Sequence, residues 1–257
     1  MMRLAAQLYT VREFCKDEES IAKSLEKVKK IGYDAVQVSG FGQFRFEWLS
    51  KVLKDLELEV CCTHTKLDRL LNDLDRVIEE HQMIGTDTIG LGMFKFEPTM
   101  DSINEFMDKI SPVVDKIYAN GMKFVYHNHD HEFKQVEGKN FMIMQYLRDN
   151  TDPLKFNFLP DFYWIYRAGV NPLYYMRDYE GRYHEVVHFK DLKRVGGEPL
   201  MAEIFEGEID YMAIYQELLK RDVKWVAIEQ DNCNGRDPFE SLKISYDNIK
   251  ERGLFLG

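Results

Sequence analysis

The chain has 257 residues, 45% hydrophobic and 30% charged, with a formal net charge of −10. That length suits a single barrel domain of about 250 residues, and the composition allows a full core. The acidic balance excludes the cationic face that nucleic acid or an anionic membrane surface would need, and no run approaches the roughly 18 apolar residues of a bilayer span.

The first residues, Met1-Met2-Arg3-Leu4, run straight into structure without an apolar signal region. Cys15, Cys61, Cys62 and Cys233 have no metal-type spacing, and scattered thiols fit a reducing cytoplasm, the expected location. On a regular strand the adjacent Cys61 and Cys62 would point to opposite faces.

Short apolar runs then alternate with amphipathic stretches. A strand at 4–8 precedes a helix at 17–31, where Ile21, Leu25, Val28 and Ile31 share one face and Gly32 ends the pattern. The following pairs are 35–38 with 46–56, 59–63 with 67–84, 88–91 with 101–120, and 123–127 with 141–149. The second half repeats the rhythm: 155–159 with 172–179, 186–189 with 211–221, and 225–228 with 238–252. Pro172 and Pro238 suit the first turn of a helix. Tyr175 and Tyr179 have the i, i+4 spacing of a packed helix face.

Alternating strands and helices imply a parallel sheet with right-handed crossovers. Eight such units favour an α/β fold of the (β/α)8 TIM barrel type, one domain over 1–257. A doubly wound dinucleotide fold would place GxGxxG after the first strand, where Tyr9-Thr10-Val11-Arg12 stands.

In such a barrel, functional groups lie just past the C-terminal ends of the strands. Those positions hold His64, then His127, Asn128 and His129, then Asp161, then His188, Lys190 and Asp191, and finally Glu229, Gln230 and Asp231. His81 falls mid-helix, His131 just past the fifth strand, and His184 before the seventh. Carboxylates beside apolar runs are rarely buried unless paired or bound to a cation. Imidazoles and carboxylates converging from several strands suit one divalent ion, Mn, Co, Zn or Mg. The plainer alternatives are a helix cap for Asp161, a buried ion pair for His188 and Glu229, an Asp191 partner for Lys190, an exposed loop position for Glu132, and a structural role for His64.

Along the whole chain the sequence resembles the xylose isomerase-like TIM barrel superfamily, including its sugar phosphate isomerases/epimerases. The resemblance rests on Ala-Ala-Gln-Leu-Tyr-Thr-Val-Arg at 5–12, His64-Thr65, Tyr-His-Asn-His-Asp-His-Glu-Phe at 126–133 and Asp-Phe-Tyr-Trp at 161–164. It continues through Ala-Gly-Val-Asn-Pro at 168–172, His-Phe-Lys-Asp at 188–191, Glu-Gly-Glu-Ile-Asp-Tyr at 206–211 and Ile-Glu-Gln-Asp at 228–231. The resemblance implies Asp161, His188 and Glu229 as metal ligands. The chain departs at the strand-five position, where His127 stands in place of an acid and Glu132 is the nearby carboxylate. By the same resemblance, Glu229, Glu132, Lys190 and His64 are the expected catalytic groups, and His129, Trp164, Phe133 and Asp191 the expected substrate contacts.

The implied activity is isomerisation or epimerisation of a ketose, keto-polyol or sugar phosphate through a metal-stabilised enediolate. The His-Asn-His segment also resembles the inosose dehydratase branch, which eliminates water from a keto-sugar. A non-catalytic sugar-binding barrel is the third expectation. Endonuclease IV shares the superfamily, but the net charge argues against a DNA-binding face. Relatives often self-associate, which leaves room for a homo-oligomer. No glycine-rich phosphate loop follows strands seven and eight; Lys190, Lys193 and Arg194 are the cations available there.

Overall fold

A computed structural model describes residues 2–183 and 185–255 of the chain; His184 lies outside them. Strand β1 (Arg3–Gln7) runs into a 3-10 segment at Leu8–Phe14, and Asp17 then starts helix α1 (Glu18–Ile31). The Asp17 carboxylate accepts the Ser20 amide at 2.9 Å and the Ser20 hydroxyl accepts the Asp17 amide at 3.0 Å, a reciprocal cap that satisfies orphan donors. Gly32 ends the helix at φ 119°, in the left-handed region that only glycine enters at no steric cost.

The rhythm continues through β2 (Ala35–Val38), α2 (Phe46–Asp55) and β3 (Glu59–Thr63). The helix expected at 67–84 is two, α3 (Leu67–Asn72) and α4 (Leu74–Met83), because Asp73 between them leaves the helical region at φ −144° and ψ 34°. Next come β4 (Thr88–Leu91), α5 (Met100–Ala119), β5 (Lys123–His127), α6 (Ile143–Asn150) and β6 (Phe156–Leu159). A helix that the periodicity did not predict, α7 (Phe162–Arg167), precedes α8 (Pro172–Asp178). Strand β7 (Val186–Phe189) leads into a second unpredicted unit, an antiparallel hairpin of β8 (Asp191–Val195) and β9 (Glu198–Ala202). Helix α9 (Tyr211–Leu218), β10 (Trp225–Ile228) and α10 (Pro238–Glu251) complete the chain.

The eight strands other than the hairpin form a closed parallel ring. Two sheets, ordered β3-β2-β1-β10-β7 and β4-β5-β6, are joined by parallel bridges from Thr65 to Leu91 and from Asp161 to His188. Backbone bonds from Thr65 to Gly90 at 2.7 Å and from His188 to Pro160 at 2.8 Å close the two seams. The chain is therefore a single-domain TIM barrel. No helix among the described residues is long and apolar enough to cross a membrane.

Strand alternation decides what faces the inside. Residues such as Leu4, Val36, Phe124 and Val226 pack outward into the large core under the helices, while Ala5, Ala35, Val125, Leu159, Val186 and Ala227 form a separate small cluster. Cys61 and Cys62 both join that inner cluster. The register between β2 and β3 slips by one there, with Val36 opposite Val60 and Gln37 opposite Cys62. The extra residue is a bulge, so the expected opposite orientation of the two thiols does not hold.

Candidate metal centre and cavity

Side chains two residues apart on a strand share a face. Stepping by two from the inner cluster therefore reaches Gln7 from Ala5, Gln37 from Ala35, and His64 from Cys62. The same step reaches His127 from Val125, Asp161 from Leu159, His188 from Val186, and Glu229 from Ala227. Seven of the eight strands, all but β4, contribute an apolar residue below and a polar one above, and the polar ones meet at the C-terminal mouth.

Four of them converge. Ligand atoms of His127, Asp161, His188 and Glu229 all lie within 4.8 Å of one another, and all four residues are buried. The outward atoms of three of them, His127, His188 and Asp161, are already occupied. His127 Nδ1 donates to the Gly92 carbonyl at 2.9 Å, which leaves the Nε2 lone pair directed at Asp161 Oδ2, 3.2 Å away. His188 Nε2 donates to Gln37 Oε1 at 2.6 Å, which turns Nδ1 inward, 3.1 Å from Glu229 Oε2 and 3.6 Å from Asp161 Oδ2. Asp161 divides its two oxygens: Oδ1 caps α7 by accepting the amides of Tyr163 at 2.9 Å and Trp164 at 3.2 Å, and Oδ2 faces the cluster. The cap and the ligand readings of Asp161 are thus compatible. A far nitrogen tied to an acceptor and a near nitrogen aimed inward is the arrangement of metal-ligating histidines.

The inward atoms are poorly satisfied by one another. Glu229 Oε2 lies 2.8 Å from Lys190 Nζ, yet neither it nor His188 Nδ1 has an aligned hydrogen-bond partner. Two imidazoles and two carboxylates are a borderline N/O donor set of the kind that holds Zn, Mn or Co. The residues present therefore fit a divalent ion.

Charge dominates the local chemistry. Burial would raise the Asp161 and Glu229 carboxyls, but the Lys190 ammonium together with His127 and His188 outweighs it and holds both well below the usual range. Burial would lower the His188 imidazole, but Glu229 and Asp161 lift it to about 9. Burial likewise opposes the charge on Lys190, and Asp161, Glu229 and Asp231 together drive it well above a normal lysine. Lys190 Nζ touches all three acids, at 3.0 Å from Asp161 Oδ2, 2.8 Å from Glu229 Oε2 and 2.8 Å from Asp231 Oδ2.

A cavity of about 580 Å³ opens over the cluster, and His64, His127, His129, Trp164, Lys190 and Glu229 line it together with Tyr9, Arg12 and Asp231. Gln7 is fixed by the Tyr9 amide on its Oε1 at 2.9 Å, so its Nε2 points to His64 Nδ1 at 3.3 Å. That leaves His64 Nε2 as a buried N–H with no protein partner; His129 Nδ1 and Trp164 Nε1 are buried and unpartnered too. Burial, then His127 and Lys190, depress His129 to about 2, so its ring is neutral. A wall of unpaired N–H and imidazole nitrogen suits a ligand rich in hydroxyls and carbonyls.

Three expected site residues lie elsewhere. Glu132 is fully buried rather than exposed, and both oxygens are engaged, accepting from Tyr126 Oη at 2.6 Å and from the His129 amide at 2.8 Å. It holds the His129 loop and does not line the cavity. Asp191 does not line the cavity and is not the partner of Lys190; its carboxylate accepts the amides of Leu192, Phe205, Gly207 and Ile209 at 2.7–3.2 Å and ties the hairpin to the loop before α9. Phe133 packs edge-on against Tyr175 with ring centroids 6.0 Å apart, outside the cavity lining. Of the cations named for a phosphate, Lys190 lines the cavity, whereas Arg194 pairs with Glu208 on the hairpin. The expected packing of Tyr175 on Tyr179 is present as a stack at 4.1 Å.

Sequence reasoning missed Gln7, Gln37 and Gly92. The two glutamines had a readable signal, since each is a polar residue within an apolar run, and both are fully buried. Gly92 had none. Its carbonyl orients His127, and a Cβ there would stand 2.9 Å from His64 Nδ1, so only glycine lets both rings sit as they do.

The family model described as xylose isomerase-like TIM barrel matches residues 25–251. Among curated proteins none matches. A sugar phosphate isomerase/epimerase from Parabacteroides distasonis ATCC 8503 is similar in structure, with TM-score 0.83 and 22% identity over 97% of this chain and 98% of that one. The probable 3-DHS dehydratase AsbF from Bacillus anthracis gives TM-score 0.75 and 15% identity over 98% of this chain and 100% of that one. The IOLI protein, solved with a binding zinc atom, gives TM-score 0.72 and 13% identity over 97% of each chain. At these identities the solved structures speak for the fold, and the family match reaches nearly the whole length: the chain belongs to the xylose isomerase-like TIM barrel family.

Proposed function

We propose that the protein is a divalent-metal-dependent isomerase or epimerase of a ketose, keto-polyol or sugar phosphate. One observation carries the reading: four buried side chains, three of them (His127, Asp161 and His188) with the outer atom tied back, bring one donor atom each to a common centre on the floor of the cavity. His127, Asp161, His188 and Glu229 would hold a divalent ion, which would supply Lewis-acid polarisation of a substrate carbonyl. The solved relatives named for sugar phosphate isomerisation and for a bound zinc support this assignment.

The chain's own groups supply the rest. Glu229 is a cavity-lining carboxylate held ionised by Lys190, and it is the base for a proton α to the carbonyl. Lys190 presents a buried ammonium where negative charge develops on substrate oxygen. The free N–H groups of His64 and Trp164 bind hydroxyls, and the neutral His129 accepts from one. Trp164 and Tyr9 wall the cavity against water.

A second reading, elimination of water from a keto-sugar, has its own support. The carboxylates lining the cavity, Glu229 and Asp231, both follow β10, so they stand on one side of a substrate. Proton return from the opposite face would need a second acid, and Glu132 does not reach. One base and one nearby acid suffice for elimination. The test is metal content of the purified protein by mass spectrometry, followed by keto-sugars and inososes in deuterated water. About one ion per chain with deuterium uptake at constant substrate skeleton supports isomerisation; loss of water supports the lyase. No bound ion after refilling with Zn, Mn, Co or Mg rejects both, leaving the non-catalytic sugar-binding barrel.

A further inference from the structure

Asp231 stands outside the four-residue donor group, yet it holds the same ammonium that Asp161 and Glu229 hold. Resting on the metal reading above, we propose that Asp231 is a positioning residue that draws the Lys190 ammonium off the cation seat and so sets the affinity of that seat for a divalent ion.

The geometry supports this in three ways. First, the Lys190 backbone is clamped, its amide donating to Tyr211 Oη at 2.8 Å and its carbonyl accepting from the same hydroxyl at 2.6 Å. Only the side chain is free to shift. Second, the shift has a destination: Asp231 lines the cavity beside Trp164, whose ring centroid lies 5.3 Å from Nζ, so the ammonium keeps an acid and an aromatic face there. The Asp231 backbone is fixed from the other side, its carbonyl accepting from Arg12 at 3.2 Å. Third, the charges balance. With the His188 imidazole neutral, as a metal ligand must be, three carboxylates and one ammonium carry a net −2, which one divalent ion neutralises. Asp161 and Glu229 alone with Lys190 would carry −1.

An ammonium resting on two metal ligands competes with the ion for their oxygens and repels it at short range. Neutralising Lys190 should therefore tighten metal binding, and neutralising Asp231 should loosen it by returning the ammonium to Asp161 and Glu229. A direct ligand role for Asp231 would instead weaken binding whatever stands at 190.

The experiment is zinc affinity, by competition with a chromophoric chelator at fixed pH, for the wild type, K190Q, D231N and the double variant, with D161A as control. The expected result is about tenfold tighter binding in K190Q, about tenfold weaker in D231N, and a double variant close to K190Q. Equal loss from D231N in both backgrounds, or unchanged affinity in folded D231N, overturns the proposal. Should K190Q fail to fold, the near-isosteric D231N decides, because thermal melting shows whether it is folded and its zinc affinity then either falls or does not. Wild type that binds no zinc, like D161A, removes the metal reading and this inference with it. Zinc bound by wild type and lost in D161A, with K190Q unchanged or weaker, removes only the inference.

Discussion

The two ends of the barrel are built from the same strands and treat charge in opposite ways. At the N-terminal floor, small apolar residues fill the interior, and the charges stay at the rim: Arg3 pairs with Glu59 at 2.5 Å, Lys123 with Asp87 at 2.8 Å and Glu185 at 2.9 Å, and Lys224 with Glu185 at 2.8 Å. These lysines and arginines remain part exposed, so each pair is screened and weak. At the C-terminal mouth, Asp161, His188 and Lys190 have exposures of 0–1%, and His188 Nδ1 and Glu229 Oε2 stand there without an aligned hydrogen-bond partner. Burying charge is costly unless it is paired and hydrogen-bonded. Asp161, His188, Glu229 and Lys190 meet buried at the mouth, and that concentration of charge marks it as the candidate site.

The largest effect that would test the contrast is on turnover. Glu229→Gln should lower kcat/KM of the proposed reaction by about 10³-fold, the range for loss of a positioned base, with the fold retained by circular dichroism. Undiminished turnover would move the base elsewhere. Asp161 offers a finer division, because its two oxygens have separate duties. Asp161→Ala and Asp161→Asn should both strip bound metal, read by mass spectrometry. Only the alanine should also lose the helix cap, lowering unfolding free energy by about 1 kcal/mol relative to the asparagine. Equal stability of the two would show that Oδ1 contributes nothing to α7.

A buried imidazole away from the mouth sharpens the comparison. His81 has both nitrogens engaged, by Thr63 Oγ1 at 2.7 Å and the Val77 carbonyl at 2.6 Å, and burial pushes it down to about 4. Its folded value lies below the unfolded value of about 6.5, so the unfolded chain binds the extra proton. Its contribution is fully present above pH 6.5 and is lost as pH falls toward 4, by about 3 kcal/mol. Urea unfolding of His81→Gln should accordingly show a shallower loss of stability over that window than wild type; parallel curves would contradict the sign.

Gly207→Ala tests the hairpin tie, since a Cβ there would overlap the Asp191 carboxylate. Overpacking of this kind costs about 1–3 kcal/mol, readable by thermal denaturation, and unchanged stability would mean the loop yields freely. The smallest effect belongs to the floor. Lys224→Ala should change stability by less than about 1 kcal/mol and leave metal content as it was. A loss of metal there would mean that the two ends are coupled through the strands.

Most of the fold was legible because periodicity reports it. The helix at Glu18–Ile31 has a cap, a buried stripe and a glycine stop, all of them local signals. Helix α7 and the hairpin were not legible. The former is six residues with a cap supplied by a site residue, and the latter's strands run from buried to exposed and back without an alternating pattern. The bulge at Cys61 is equally silent, since only pairing with β2 defines it.

The site divides along the same line. By itself the sequence determined which residues follow the apolar runs, and the two-residue alternation of a strand then carries His127, Asp161, His188 and Glu229 to one mouth. Only the tertiary structure decided the partners past the strand ends: that Lys190 turns to Asp231 and not to its neighbour Asp191, that Glu132 serves Tyr126 and the His129 amide, and that Gln37 and Gly92 set the two imidazoles. Within a strand, direction is fixed by the backbone repeat. In the loops beyond it no repeat exists, and a side chain's direction follows from whatever the closed ring brings within reach.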